Sequence, residues 1–158
     1  MKKIKLSQGK VTLVDDEDFE YLNQFKWCAM KGNSTFYVIR HTSQKNELKK
    51  ECLLLHRVIM NAPKGVEVDH IDHNGLNNQK YNLRLCTNSQ NHMNRISHGK
   101  SKYLGVSFHT SRKYIRAVIT IKSKHQHIGY FKTEKEAALA YDKAALKYFG
   151  EFANLNFK

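Results

Sequence analysis

One stretch constrains this chain more than any other: residues 66–95, VEVDHIDHNGLNNQKYNLRLCTNSQNHMNR. Val66, Val68 and Ile71 mark a short apolar strand around Asp69-His70. A polar loop runs from His73 to Gln79, where Gly75 and the Asn residues tolerate the positive φ of a tight reversal. Tyr81, Leu83 and Leu85 then alternate with Asn82, Arg84 and Cys86, the period of a half-buried strand. Thr87-Asn88-Ser89-Gln90 has capping-box spacing, which starts a helix near Asn88 carrying Asn91, Met93, Asn94 and Arg95.

The same stretch concentrates groups suited to phosphodiester hydrolysis. That reaction needs an activated water, charge relief on the phosphate and help for the leaving oxygen. Asp69 offers a hard oxygen ligand for Mg²⁺ or Mn²⁺, an ion type that takes few protein oxygens, and Asn91 on the helix offers a second. His70, of a residue type that titrates near ~6.5, suits a general base. Neighbouring residues on a strand point to opposite faces, so the pair shares a cleft only where the strand ends. His73 and His92 read as solvated loop and helix positions, and Asp72-His73 as a weaker second site.

Charge supplies the partner. Twenty-seven Lys and Arg against 14 Asp and Glu give +13, which favours a polyanion, nucleic acid before membrane. No apolar run reaches spanning length, and MKKIKLSQGK lacks the apolar centre of a signal peptide. Cys28, Cys52 and Cys86 are odd in number with no CxxC pair, which fits a reduced cytoplasmic setting and supports neither a disulfide framework nor a zinc finger. Residues 99–158 hold 12 basic and 4 acidic residues, whereas 51–98 hold 5 and 4, so binding strength is expected away from the chemistry.

Residues 1–50 read as β-rich: strands at 2–6 and 10–14, and a helix opened by Asp15-Asp16-Glu17-Asp18 through Leu22. A hairpin from Lys26–Met30 to Thr35–His41 follows, with Trp27, Phe36 and Tyr37 in the core, then a Lys-rich connection. Residues 52–60 begin as a strand and turn helical before Pro63. Arg57 there is either a bidentate phosphate clamp or a salt-bridged rim residue. Ile96–Lys102 reads as a linker.

In the last third, Leu104, Val106 and Phe108 alternate, and Ile115, Ala117, Ile119 and Ile121 define the inner side of a strand. Lys124-His125-Gln126 turns into a third strand at 127–131, and Thr133 and Glu136 box a helix that Gly150 ends. The outer sheet face is left to Ser107, His109, Arg112, Lys113, Arg116, Thr120, Lys122 and His127, a basic surface suited to a major groove. Arg116 is the base-contact candidate, and the lysines anchor phosphates.

DHIDHNGLNN…NLR…T…QN…NR resembles the HNH endonucleases in their homing branch. The resemblance implies Asp69 and Asn91 as metal ligands, His70 as general base and Asn82 as the residue that braces the loop and orients that base. Arg57, Arg84 and Arg95 are the DNA contacts expected of this segment. YLGV at 103–106, IGYF at 128–131, TEKEAALAY at 133–141 and ANLNF at 153–157 resemble the AP2/ERF DNA-binding domain. Ile115 stands where that family usually has an aromatic residue.

The expected fold is therefore α+β. A ββα-metal (HNH) core spans 51–98, behind a β-rich segment at 1–50. An AP2-like three-stranded antiparallel sheet on one helix spans 99–158. The expected function is site-specific, divalent-metal-dependent cleavage of double-stranded DNA, with 5′-phosphate and 3′-hydroxyl ends. A monomer would nick and a homodimer could cut both strands. The setting would be the cytoplasm of a bacterial or phage-infected cell, at the nucleoid. The competing class is a non-catalytic, sequence-specific DNA-binding regulator. RNA is disfavoured because the outer sheet face lacks stacking aromatics.

Overall fold

The computed structural model describes residues 1–42, 51–97, 99–109 and 114–157. Lys45, Lys49, Lys50, Arg112 and Lys113 lie outside them, so their expected DNA contacts do too. The chain divides into two compact units, Met1–Thr87 and Asn88–Lys158.

In the first unit, β1 (Lys2–Lys5) and β2 (Val11–Val14) pair antiparallel, with Ile4 opposite Thr12. The acidic run opens α1 (Asp16–Leu22), putting three carboxylates against the helix dipole. β3 (Cys28–Lys31), β4 (Phe36–Thr42) and β5 (Glu51–Leu54) form an antiparallel sheet in the order β3-β4-β5. α2 (Leu55–Ile59) continues directly from β5 and stops before Pro63, as the apolar run predicts.

Ile4, Leu6, Val14, Leu22, Trp27, Val38 and Leu55 make one core, joined by Val58 and Leu76. Residues between Ile4 and Val38 thus share their interior with Leu55, Val58 and Leu76 of the segment that follows. Phe36 and Tyr37, expected in the core, are only half-buried. β6 (Glu67–His70) and β7 (Leu83–Cys86) pair antiparallel, with Asp69 opposite Arg84 and His70 opposite Leu83. The alternation expected from Tyr81 to Leu85 fails at both ends. Tyr81 falls in a 3-10 turn (Lys80–Asn82) and is exposed, and Leu85 is exposed on the strand. Ile71 lies just beyond β6 and is also exposed.

The second unit begins with α3 (Asn88–Met93), which ends before Asn94 and Arg95 rather than carrying them. Within the stretch read as a linker, Ser101 is buried and its hydroxyl donates to Glu134. β8 (Val106–Phe108), β9 (Ile115–Ile121) and β10 (Lys124–Phe131) form an antiparallel sheet with β9 central. The β9–β10 turn falls at Lys122-Ser123, two residues before its expected place, because both adopt left-handed φ, 47° and 62°. α4 (Glu134–Phe149) carries both halves of the Thr133–Glu136 capping box and packs Ala137, Ala138, Tyr141 and Ala145 against the sheet. Ala117 and Ile119 are buried beneath it, as the alternation requires.

Candidate active site

β6 ends at His70, so the strand delivers Asp69 and His70 at its terminus. The Asp69 carboxylate is buried, and its Oδ2 accepts from Arg84 Nε at 2.9 Å and Nη2 at 2.7 Å. Cross-strand register dictates this pair, and the guanidinium expected on DNA is thereby engaged with the acid.

The His70 ring is buried, only 6% exposed, yet its surroundings are not purely apolar. It lies edge-on to His56, with ring centroids 5.0 Å apart, and beside Tyr37 at 6.1 Å. Its Nε2 faces Asn78 Oδ1 at 3.2 Å. Burial is the largest influence on His70 and lowers its pKa, against opposing effects from the Asn78 bond and from Asp72 and Asp69. The imidazole therefore stays neutral, and able to take a proton, further into acid than an ordinary histidine.

His56 is pushed down to about 3, first by burial and then by the neighbouring His70 and Arg57 charges. Because its folded pKa lies below its unfolded value, the unfolded chain binds the extra proton between about 6.5 and 3. The stability His56 contributes is full above that window and lost as pH falls through it. Thermal unfolding followed from pH 7 to pH 4 is expected to show falling stability, with a shallower fall in His56→Phe. Equal slopes in the two proteins would remove His56 as the cause.

The polar loop is braced from both sides. Asn82 is buried; its Oδ1 accepts from Asp72 N at 3.0 Å, and its Nδ2 donates to Asp72 Oδ1 and Asn77 O, both at 2.8 Å. The left-handed residue in this loop is His73, at φ 62°, and not Gly75. Gly75 is required for close approach instead, since a Cβ there would lie 2.3 Å from Phe36 O. The loop also runs along β2: Leu13 N donates to Leu76 O and Asn78 N to Leu13 O, both at 2.9 Å. Asp15 accepts from Gln79 Nε2 and Lys80 N. Sequence reading missed this role of the first fifty residues, and it missed Asn78 as the partner of His70.

Arg57 donates to the carbonyls of Ala62, Pro63 and Val66 and so closes the loop after α2. That geometry is neither the phosphate clamp nor the salt bridge expected of it. Asn91 belongs to the second unit, on α3.

In the second unit, Arg95, Ser107, Arg116, Thr120, His125 and His127 line one shallow groove on the sheet face away from α4. Arg116 is exposed and its Nε donates to Ser107 Oγ at 3.3 Å, while Thr120 Oγ1 meets His125 Nδ1 at 3.0 Å. His127 is exposed, with its ring 4.4 Å from that of Tyr130, and His109 lies at 6.1 Å from the same ring. Lys122 is exposed in the turn. His125 was not among the expected contacts, because the turn was placed on it.

No helix among the described residues is long and apolar enough to cross a membrane. A family model described as HNH endonuclease matches residues 54–93, which include Asp69, His70, Asn82 and Asn91. An uncharacterized HNH endonuclease of Acanthamoeba polyphaga mimivirus is 32% identical over 155 residues, covering 96% of this chain and 78% of that protein. The ethylene-responsive transcription factor WRI1 of Arabidopsis thaliana is 41% identical over 64 residues, 39% of this chain and 15% of that protein. APETALA2-like protein 2 of rice is 38% identical over 64 residues, 40% of this chain and again 15% of its own length. With a relative matched along most of both chains and the family model matching the segment that carries Asp69 and His70 at the end of β6, the chain belongs to the HNH endonuclease family.

Proposed function

We propose that the chain is a site-specific, divalent-metal-dependent DNA endonuclease of the homing type. In this reading residues 51–98 carry a ββα-metal core behind the β-rich segment 1–50, and residues 99–158 are an AP2-like DNA-binding module. The observation that supports it best is the buried, anchored His70 beside a buried carboxylate at one strand end, within the segment matched by the family model.

His70 accepts a proton from water, and the water attacks a phosphodiester in line. Asn82 holds the 72–77 loop in shape around the base. The donor chemistry suits Mg²⁺ or Mn²⁺: Asp69 is a buried anionic oxygen donor, and the described residues contain no group of three His, Cys, Asp or Glu of the kind that cages zinc. Asp69 and Asn91 are the residues that would hold the ion. When bound, it would supply charge relief to the phosphate and to the departing 3′ oxygen. Arg84 keeps the Asp69 carboxylate in place through Oδ2. One site per chain nicks one strand, and a homodimer would cut both. The +13 charge and the plant relatives named as transcription factors support duplex DNA as partner, within the cytoplasm of a bacterial or infected cell.

A second reading has its own support. His70 is buried and Asp69 is already ion-paired, as in a scaffold that has kept its motif without its activity. That protein would be a DNA-binding regulator. Plasmids carrying a randomised insert, incubated with Mg²⁺ and with EDTA, separate the two. Metal-dependent cutting mapped to a common sequence is expected, and specific binding with no cutting would establish the regulator.

Arg116 is proposed to read a base through the groove it lines with Arg95 and His127. Arg116→Ala is expected to cost roughly 1–3 kcal/mol at one base pair and to relax preference there. A uniform loss across all sequences, with a shallower salt dependence, would make it a phosphate contact.

A further inference from the structure

The N-terminal hairpin enters the site through one side chain. Thr12, on β2, is fully buried, and so is Asn78. The Thr12 hydroxyl lies 2.8 Å from the Leu76 carbonyl, which only accepts, so the single hydroxyl proton goes there. Thr12 Oγ1 is then an acceptor, and Asn78 Nδ2 donates to it at 2.8 Å. The second Nδ2 proton goes to Gly75 O at 3.1 Å. The Asn78 amide is thereby fixed with nitrogen toward Thr12 and oxygen toward His70. An amide oxygen only accepts, so His70 carries its proton on Nε2 and its lone pair on Nδ1.

We infer that Thr12 and Asn78 are positioning residues that set the tautomer and ring orientation of His70, and that the N-terminal hairpin is therefore part of the catalytic apparatus. The inference rests on the reading of His70 as the general base. Within the 66–95 stretch one bond, from Asn78 Nδ2 to Gly75 O at 3.1 Å, orients the amide; the shorter bond, at 2.8 Å, comes from Thr12, 66 residues upstream. Without the Thr12 hydroxyl the amide keeps only the longer of its two Nδ2 bonds, to Gly75 O, and presents Oδ1 to the histidine less firmly.

The test uses the full-length chain and two independent readouts. ¹⁵N spectra of the His70 ring report the tautomer. Single-turnover cleavage of plasmid at saturating protein with Mg²⁺ reports the chemistry, and DNA affinity is measured separately in EDTA. Wild type is expected to show the Nε2–H tautomer. Thr12→Val, close in shape but without the hydroxyl, is expected to lose that single tautomer and to cleave about ten- to hundredfold more slowly, the usual effect of removing an orienting partner, with DNA affinity unchanged. Thr12→Ser restores the bond and is expected to recover most of the rate. An Nδ1–H tautomer in wild type, or Thr12→Val indistinguishable from wild type in both readouts, overturns the inference. So does Thr12→Ser as slow as Thr12→Val, which would reduce the effect to packing. If Thr12→Val changes the tautomer and leaves the cleavage rate untouched, the positioning stands and His70 is not the base.

Discussion

His70→Ala is expected to reduce metal-dependent cleavage by about 10²–10⁴-fold while leaving DNA affinity within severalfold, since positioned proton transfer contributes on that scale. The variant also leaves Asn78 Oδ1 facing a cavity, at a cost of about 1–3 kcal/mol, so its melting temperature must be measured alongside. His70→Gln retains a donor toward Asn78 and no titrating base; it should be more stable than the alanine variant and equally slow. The wild-type rate at fixed metal is expected to hold into mild acid, because burial keeps the imidazole neutral below the ordinary histidine range. A rate that declines already through the ordinary range would mean the working base is another group. Full cleavage by both variants would remove His70 from the mechanism.

The second large effect concerns folding. Gly105→Ala is expected to destabilise the second unit by on the order of 3–5 kcal/mol, combining left-handed strain with overpacking. Gly105 has φ 74°, and a Cβ there would lie 2.0 Å from Tyr141 Cδ2 and 2.8 Å from its Cγ. Tyr141 is 2% exposed and sits on α4 within a core of Leu104, Ile119, Ala145 and Phe149, so the ring has nowhere to yield. The Gly105 carbonyl also accepts from Val118 N at 2.8 Å, tying the glycine to β9. Set against a total stability of about 5–15 kcal/mol, this is a large fraction. Calorimetry should show a displaced transition, with early amide exchange in β9 and α4 and weakened DNA binding. An unchanged transition would mean that the ring and the backbone do not meet as described.

Local chemistry was legible in the sequence; partners at long range were not. The Thr133–Glu136 box, the Gly150 cap and the inner side of β9 are periodic or adjacent features, and each formed where its residues put it. Tyr81 and Leu85 look like inward positions, but a two-stranded ribbon with a 3-10 lead-in buries Asn82 and Cys86 instead. Lys122-Ser123 gave no turn signal, because neither is a residue that favours positive φ. Within the site, the motif pointed to Asp69, His70 and the brace at Asn82. It could not reveal that Arg84 is engaged by Asp69, since that pairing follows from strand register, nor that Thr12 anchors Asn78. Residue spacing within a motif carries no information about a strand folded back from the other end of the unit.

The chain's single tryptophan, Trp27, is 1% exposed, its indole N–H bonded to Leu22 O at 2.9 Å and the Arg40 guanidinium 5.5 Å from its ring. All of these residues lie in Met1–Thr87, and Asn88–Lys158 contains no indole. Emission excited selectively at that chromophore therefore reports melting of the motif-bearing half alone, whereas far-ultraviolet ellipticity sums both halves. Two optical signals from one unlabelled sample separate the two transitions.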